Sequence, residues 1–247
     1  MNTITSYHRP ATLDEAVSLL SRSDVTTTVV AGGTALNATE LPTNIEVVDL
    51  QAVVTQGIER QGDQVRYGAM TRLQDLIDHA DTPPLLAELA RREGPNTLRN
   101  ASTIGGTVAE GASESELVAG LLVHETSLTI VDSTGTKDIA LEELLADFSV
   151  LDRAVITTVS VTIGGETASA RTGRTPADTS IVAVAGRIVP SGVRVALTGV
   201  ASTPVLVDVD NLASLNPPAD FRGTSEYRLE LAEVLVARVV NQLGGAA

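Results

Sequence analysis

An α+β fold is what this chain predicts, and three observations predict it. Residues 1–52 alternate β-branched runs with one amphipathic stretch. Residues 53–165 carry short strands at hairpin spacing interrupted by helical patterns. Residues 166–247 read as strands closed by one long amphipathic helix. The expectation is a first domain over 1–165, with subdomains of about 1–52 and 53–165, and a second domain over 166–247. The first combines a small βαβ part with a mixed or antiparallel sheet and helices. The second is a small three-stranded antiparallel sheet with a helix.

The elements follow in order. An extended segment through Tyr7 is stopped by Pro10, and Thr12 with Glu15 three residues on has the form of a helix start, giving a helix whose apolar side holds Ala16, Leu19 and Leu20. Residues 26–31 are β-branched and end at a glycine pair, and after a break at Pro42 residues 45–50 form another strand. Residues 64–68 read as a strand, and Thr71 with Gln74 repeats the capping signature before Leu73, Leu76 and Ile77. Pro83 and Pro84 precede a helix through Leu85, Leu86, Leu89 and Ala90. Residues 116–123 look helical, 127–131 form a strand with a turn at 133–135, 141–146 form a short helix, and 154–163 are a β-branched strand. Residues 164–177 are polar, without period, and contain Pro176, which places the domain boundary there. Beyond it come a hairpin, 180–189 and 193–200, a third strand at 205–209, and a helix capped by Ser225 with Leu229, Ala232, Leu235, Val236 and Val239 on one face.

Two stretches stand out as too small-sided for ordinary core. In Thr103-Ile-Gly-Gly-Thr107 the adjacent Gly105 and Gly106 let main-chain amides approach an anion with no Cβ in the way, and Thr103 and Thr107 offer hydroxyls to the same oxygens. A shorter version, Ala31-Gly-Gly-Thr-Ala-Leu36, leaves the carboxyl end of a strand, where ligands gather in βαβ units. Two such turns in one chain predict two loops closing on one diphosphate.

Composition narrows the function. The formal net charge of −14 argues against a nucleic-acid or anionic-membrane partner, and it leaves amide and hydroxyl dipoles to hold any diphosphate. With no cysteine the chain can hold no disulfide and no thiolate-ligated cluster. His8, His79 and His124 match no metal-ligand spacing, so no metal site is expected. Neither a leader pattern nor a run long enough to span a membrane is present, and a cytoplasmic location is the expectation.

The order Arg9-Pro10, Leu13-Asp-Glu-Ala16, Ala31-Gly-Gly-Thr-Ala-Leu36, Tyr67-Gly-Ala-Met-Thr71, Leu98-Arg-Asn100, Thr103-Ile-Gly-Gly106 and Glu116-Leu117 resembles the FAD-binding medium subunit of molybdenum hydroxylases, the family of aerobic carbon monoxide dehydrogenase and xanthine dehydrogenase. Residues 181–185, 193–200 and 227–236 resemble that family's carboxy-terminal flavoprotein domain. The resemblance implies a bipartite FAD-binding fold and an oxidoreductase subunit that works only with partners, a large molybdopterin subunit and a small iron–sulfur subunit, assembled as a dimer of heterotrimers. Electrons would pass from [2Fe–2S] clusters to FAD here and on to an acceptor such as NAD or a quinone. The absence of cysteine fits that division of labour, in which the clusters and the molybdopterin lie in the partners.

Carried over by position, the resemblance assigns FAD binding to Ala31, Gly32, Gly33, Thr34, Ala35 and Leu36, and to Thr103, Ile104, Gly105, Gly106 and Thr107. Glu116 stands where the family has an aspartate resembling a ribose-hydroxyl acceptor, and its other reading is a solvated residue in a helix's first turn. Arg99 is read as a phosphate or subunit contact, or else a surface ion pair. No catalytic residue is nominated. The chain departs from the family at Ala35, at Thr107, in the short 145–150 segment and at Asp178-Thr-Ser180, and aromatics make up only 2% of residues. Those departures motivate an alternative, a structural or interaction subunit of the same fold with weak or no FAD binding. A third reading, a flavin oxidase with its own substrate pocket, needs a base or covalent anchor that neither glycine motif supplies.

Overall fold

The computed structural model describes residues 4–38, 44–175 and 178–244; the expected break at Pro42 and Pro176 of the expected linker lie outside the described residues. Three strands, β1 (Ile4–His8), β2 (Thr26–Val30) and β3 (Ile45–Asp49), form a parallel sheet in the order β1-β3-β2. The central β3 is buried on almost every residue, as a strand flanked on both edges must be. Helix α1 (Leu13–Leu20) connects β1 to β2, and its start is as expected: Thr12 accepts from the Glu15 amide at 3.2 Å, and the Glu15 carboxylate accepts from the Ala11 amide at 2.8 Å. The short α2 (Thr34–Ala38) follows β2 after Gly32 and Gly33.

An antiparallel sheet carries the middle of the chain, with β4 (Ile58–Gln61), β5 (Gln64–Gly68), β6 (Ser127–Asp132), β7 (Gly135–Ala140) and β8 (Val155–Thr162) in the order β4-β5-β8-β6-β7. Between β5 and β6 run α3 (Leu73–Asp78), α4 (Pro84–Arg92), α5 (Asn96–Arg99), α6 (Ile104–Glu110) and α7 (Glu116–Val123), and α8 (Leu141–Ala146) follows β7. The capping box expected at Thr71 and Gln74 does not form. Arg72 occupies the cap position, the Thr71 hydroxyl donates to the Gly57 carbonyl at 2.9 Å, and the Gln74 amide turns to Asp78. A long-range partner outcompeted the local one.

The carboxy-terminal sheet has four strands where the sequence predicted three: β9 (Thr167–Thr172), β10 (Val182–Val189), β11 (Gly192–Thr198) and β12 (Val205–Val207), in the order β12-β11-β10-β9. The extra strand β9, Thr-Ala-Ser-Ala-Arg-Thr, lacks apolar alternation and owes its existence to its register with β10, from Arg187 opposite Thr167 to Val182 opposite Thr172. Helix α9 (Ser225–Gln242) packs on one side of this sheet, capped by Thr224 rather than Ser225. On the other side lies α7, buried on all eight residues and shared with the middle unit.

Arginines bind the units together at main-chain carbonyls. On β10, Arg187 donates to Val123 and Gly164 and pairs with Glu125, while Arg194 on β11 donates to Leu122. Arg228 of α9 is 2% exposed and donates to the carbonyls of Ile181 and Gly199 and to Asp220.

His124, at the end of α7, is fully enclosed. Its Nδ1 lies 2.8 Å from the Thr162 carbonyl oxygen and therefore carries the proton, while Nε2 is buried without a partner. Burial, helped by the Arg187 cation, pushes its pKa down to about 4 from 6.5. The unfolded chain thus binds a proton that the folded chain refuses between pH 6.5 and 4, so this contribution to stability is complete above pH 6.5 and disappears as pH falls to 4. The shift corresponds to roughly 3 kcal/mol. Chemical denaturation of wild type and His124→Asn at pH 7 and pH 4 should show wild type losing that much more than the variant; parallel losses would refute the assignment.

Candidate functional site

The two Gly-Gly-Thr stretches, far apart in sequence, meet in space. Gly32 lies so close to the segment before α6 that a Cβ on it would stand 2.0 Å from the Ala101 carbonyl oxygen, and the Ser102 hydroxyl donates to Thr34 Oγ1 at 3.0 Å. Gly33, at φ 73°, turns the chain from β2 into α2. No hydrogen bond among the described residues engages the amides of Gly32 or Gly33.

The second stretch is built differently from the expected nest. It forms the first turn of α6, and its amides are already engaged: Ile104 donates to the Thr71 carbonyl and Gly105 to the Ala69 carbonyl, both at 2.9 Å, while Gly106 donates to the capping Thr103 Oγ1 at 3.1 Å. The Thr107 hydroxyl donates to the Thr103 carbonyl. Gly105 is glycine for packing, since a Cβ there would stand 2.7 Å from the Ala69 Cβ. At Gly106 a Cβ would meet only Thr103 Oγ1, at 3.0 Å.

Around this junction lies a cleft of two adjoining chambers that share Thr28, Val29, Ala31, Gly106 and Ala109 as walls. The first chamber, apolar in its floor of Leu20, Val25, Leu50, Val54 and Met70, has a volume of about 380 Å³ and carries Arg22, Asp152 and Arg153 on its other walls. The polar chamber, of about 460 Å³, has walls that include the two glycine stretches, Ser102, Ser115, Glu93 and Glu110. Both volumes lie in the range of small-molecule sites.

Of the residues singled out from sequence, Ala31, Gly32, Gly33, Thr34, Ala35, Leu36, Thr103, Gly106 and Thr107 line the polar chamber, and Gly105 lines the apolar one. Ile104 is buried in the core. Glu116 lies on neither wall. It is 5% exposed, its Oε2 accepts from Arg92 at 2.8 Å, and its Oε1 faces Arg171 of β9 at 2.9 Å. Arg99 reaches neither chamber and ties down the 91–94 turn, donating to the carbonyls of Arg91 and Gly94. His8 pairs with Glu46 and His79 with Asp81, and no cluster among the described residues could hold a metal ion. No aromatic residue lines either chamber among the described residues.

Sequence reasoning missed Glu93. Its Oε1 accepts from the Leu117 amide at 2.8 Å and from the Ser115 hydroxyl at 3.0 Å, and no hydrogen bond among the described residues engages Oε2. Burial, reinforced by the negative charges of Glu116 and Glu110, pushes its carboxyl up to about 7 against the opposing pull of those two donors. Glu110 is likewise raised, by burial first and Glu114 second. Nothing local marked Glu93, since its environment is assembled by α7.

The comparisons with known proteins accord with this arrangement. The family described as the FAD binding domain in molybdopterin dehydrogenase matches residues 2–163. The Escherichia coli (strain K12) protein YgfM is 30% identical over 249 residues, 95% of this chain and 94% of its own length. The carbon monoxide dehydrogenase medium chain of Afipia carboxidovorans is 26% identical over 274 residues, 96% of this chain and 95% of its own. Among solved structures, a carbon monoxide dehydrogenase chain from Hydrogenophaga pseudoflava superimposes with a TM-score of 0.88 at 25% identity, covering 98% of this chain and 97% of that one. With the family matched along most of its length and the fold along nearly all of it, this chain belongs to the FAD-binding subunits of the molybdenum hydroxylase family.

Proposed function

We propose that this subunit binds one FAD across the two chambers and relays electrons from the [2Fe–2S] clusters of a partner subunit to an external acceptor. The observation that carries this reading is the meeting of the two glycine stretches at the waist of a two-chambered cleft. The residues fit the group. The amides of Gly32 and Gly33 have no other partner among the described residues, and Thr34 Oγ1, which accepts from Ser102, keeps its own hydrogen free to donate. Donors therefore come mainly from the first stretch, and the second supplies a surface without side chains against which a diphosphate can lie. The apolar chamber suits a purine, and the polar chamber suits the hydroxyl-bearing and heterocyclic remainder.

Bound FAD supplies the electron chemistry through its own ring. The chain's part is to hold the diphosphate with dipoles and to fix the polar chamber against α4 and α7. Residues 1–165 form the FAD domain in this reading, with subdomains of about 1–52 and 53–165, and residues 166–247 the second domain. The proposed assembly is a dimer of heterotrimers with a large molybdopterin subunit and a small iron–sulfur subunit, in the cytoplasm. No helix among the described residues is long and apolar enough to cross a membrane. Support for partners comes from the relatives named as medium chains.

The test is isolation of the complex through a tag on this chain. Molybdenum, iron and FAD should co-purify, and the flavin absorbance should bleach on mixing with the dithionite-reduced iron–sulfur partner and recover on adding acceptor. A complex that contains FAD whose absorbance does not respond to the reduced partner would refute the relay. A complex without FAD would favour the structural-subunit alternative.

A further inference from the structure

Resting on the FAD reading, we propose that binding of FAD is coupled to uptake of one proton by Glu93. The polar chamber has two carboxylates on its walls, Glu93 and Glu110, and among the described residues no lysine or arginine lines it; the arginines of the cleft, Arg22 and Arg153, are on the walls of the other chamber. A diphosphate brings further negative charge into that space. Either the repulsion is endured or a carboxylate becomes neutral, and in a chamber with no cation on its own walls neutralisation is the favoured outcome.

Glu93 is the group placed to do this. Its Oε1 is fixed at the start of α7 by Leu117 and Ser115, while Oε2 has no hydrogen-bond partner among the described residues and is free to carry a proton. The cations nearby do not relieve it. Arg92, next to it in the chain, is shared between Glu88 and Glu116, and Arg171 of β9 faces Glu116. The charged groups that act on it, Glu116 at the start of α7 and Glu110 at the end of α6, are both acidic and favour the neutral form. Its carboxyl already stands near 7 in the free chain, so a modest added repulsion moves it fully to the protonated state across the neutral range. Once neutral, its O–H is a donor facing the chamber.

The sign follows from linkage. Below about pH 6 Glu93 is protonated before FAD arrives and affinity is independent of pH. Above about pH 7.5 each bound FAD must take a proton from solution, and Kd should rise by about tenfold per pH unit.

The experiment is titration of the full chain, freed of flavin, with FAD from pH 6 to 9, read by flavin fluorescence. Calorimetry at pH 8 in two buffers of different ionisation enthalpy counts the protons. Wild type should show the rising Kd and an uptake of about one proton, and Glu93→Gln should show neither and bind more tightly than wild type at pH 9. Glu110→Gln is the control and should keep the slope, with its onset at lower pH because one of the charges that raise Glu93 is gone. If FAD binds but wild-type affinity is flat with pH, or if Glu93→Gln keeps the slope, the coupling is refuted and the FAD reading stands. If no FAD binds at any pH to a folded chain, both fall. Should Glu93→Gln fail to fold, the proton count on wild type decides alone.

Discussion

Gly32→Val is expected to empty the site and weaken the fold together. A Cβ at this position would stand 2.0 Å from the Ala101 carbonyl oxygen and 2.8 Å from its carbon, and both are main chain that no rotamer change can move. The loop must lift off the segment before α6, which separates the two glycine stretches and breaks the contact of Ser102 with Thr34. We expect a loss of about 3 kcal/mol in stability, at the upper end for overpacking, and FAD content falling from about one per chain to under a tenth. Gly106→Val separates the two effects. That Cβ would meet only the Thr103 hydroxyl, at 3.0 Å, and would project among residues that line both chambers. Its melting temperature should stay near that of wild type while its FAD content falls as far. A Gly32→Val protein that melts like wild type would refute the close approach of the two stretches.

Glu116→Ala should cost about 3–5 kcal/mol without touching the cleft wall. Glu116 is buried between Arg92 of α4 and Arg171 of β9, so its removal takes away the one carboxylate that both guanidinium groups face and leaves Arg92 to Glu88. The substitution also loosens the carboxy-terminal sheet from the middle unit, because Arg171 belongs to that sheet. Denaturant titration reads the loss directly. Replacing the carboxylate by an amide, Glu116→Gln, should recover part of it by keeping acceptors in place. A change under about 1 kcal/mol in Glu116→Ala would show that the carboxylate is not the hub of this cluster.

The sequence was informative wherever local chemistry decided the outcome. Thr12 with Glu15, the proline start of α4, the β-branched β8 and the α9 face of Ala232, Leu235, Val236 and Val239 followed from spacing and capping, although Arg228 and not the expected Leu229 is buried at its start, and the glycine stretches marked the walls of the cleft. It was silent where partners come from afar. Strand β9 exists because β10 lies beside it, Thr71 abandons its cap for Gly57, and Glu116 meets its arginines only once α4, α7 and β9 converge. The amides of Gly105 and Gly106 illustrate the same limit. A glycine pair licenses both an open nest and a tightly packed helix start, and only the position of Ala69 shows that the second is built.

The cleft between the small parallel sheet and the middle unit is expected to hold FAD against the glycine stretches. Counting FAD released on denaturation, for wild type and Gly106→Val purified alike and matched in thermal melting, tests it most directly. About one FAD per wild-type chain and almost none in the variant is the predicted result. A folded, colourless wild type that takes up no added FAD, or a Gly106→Val chain that retains its full complement, would contradict it.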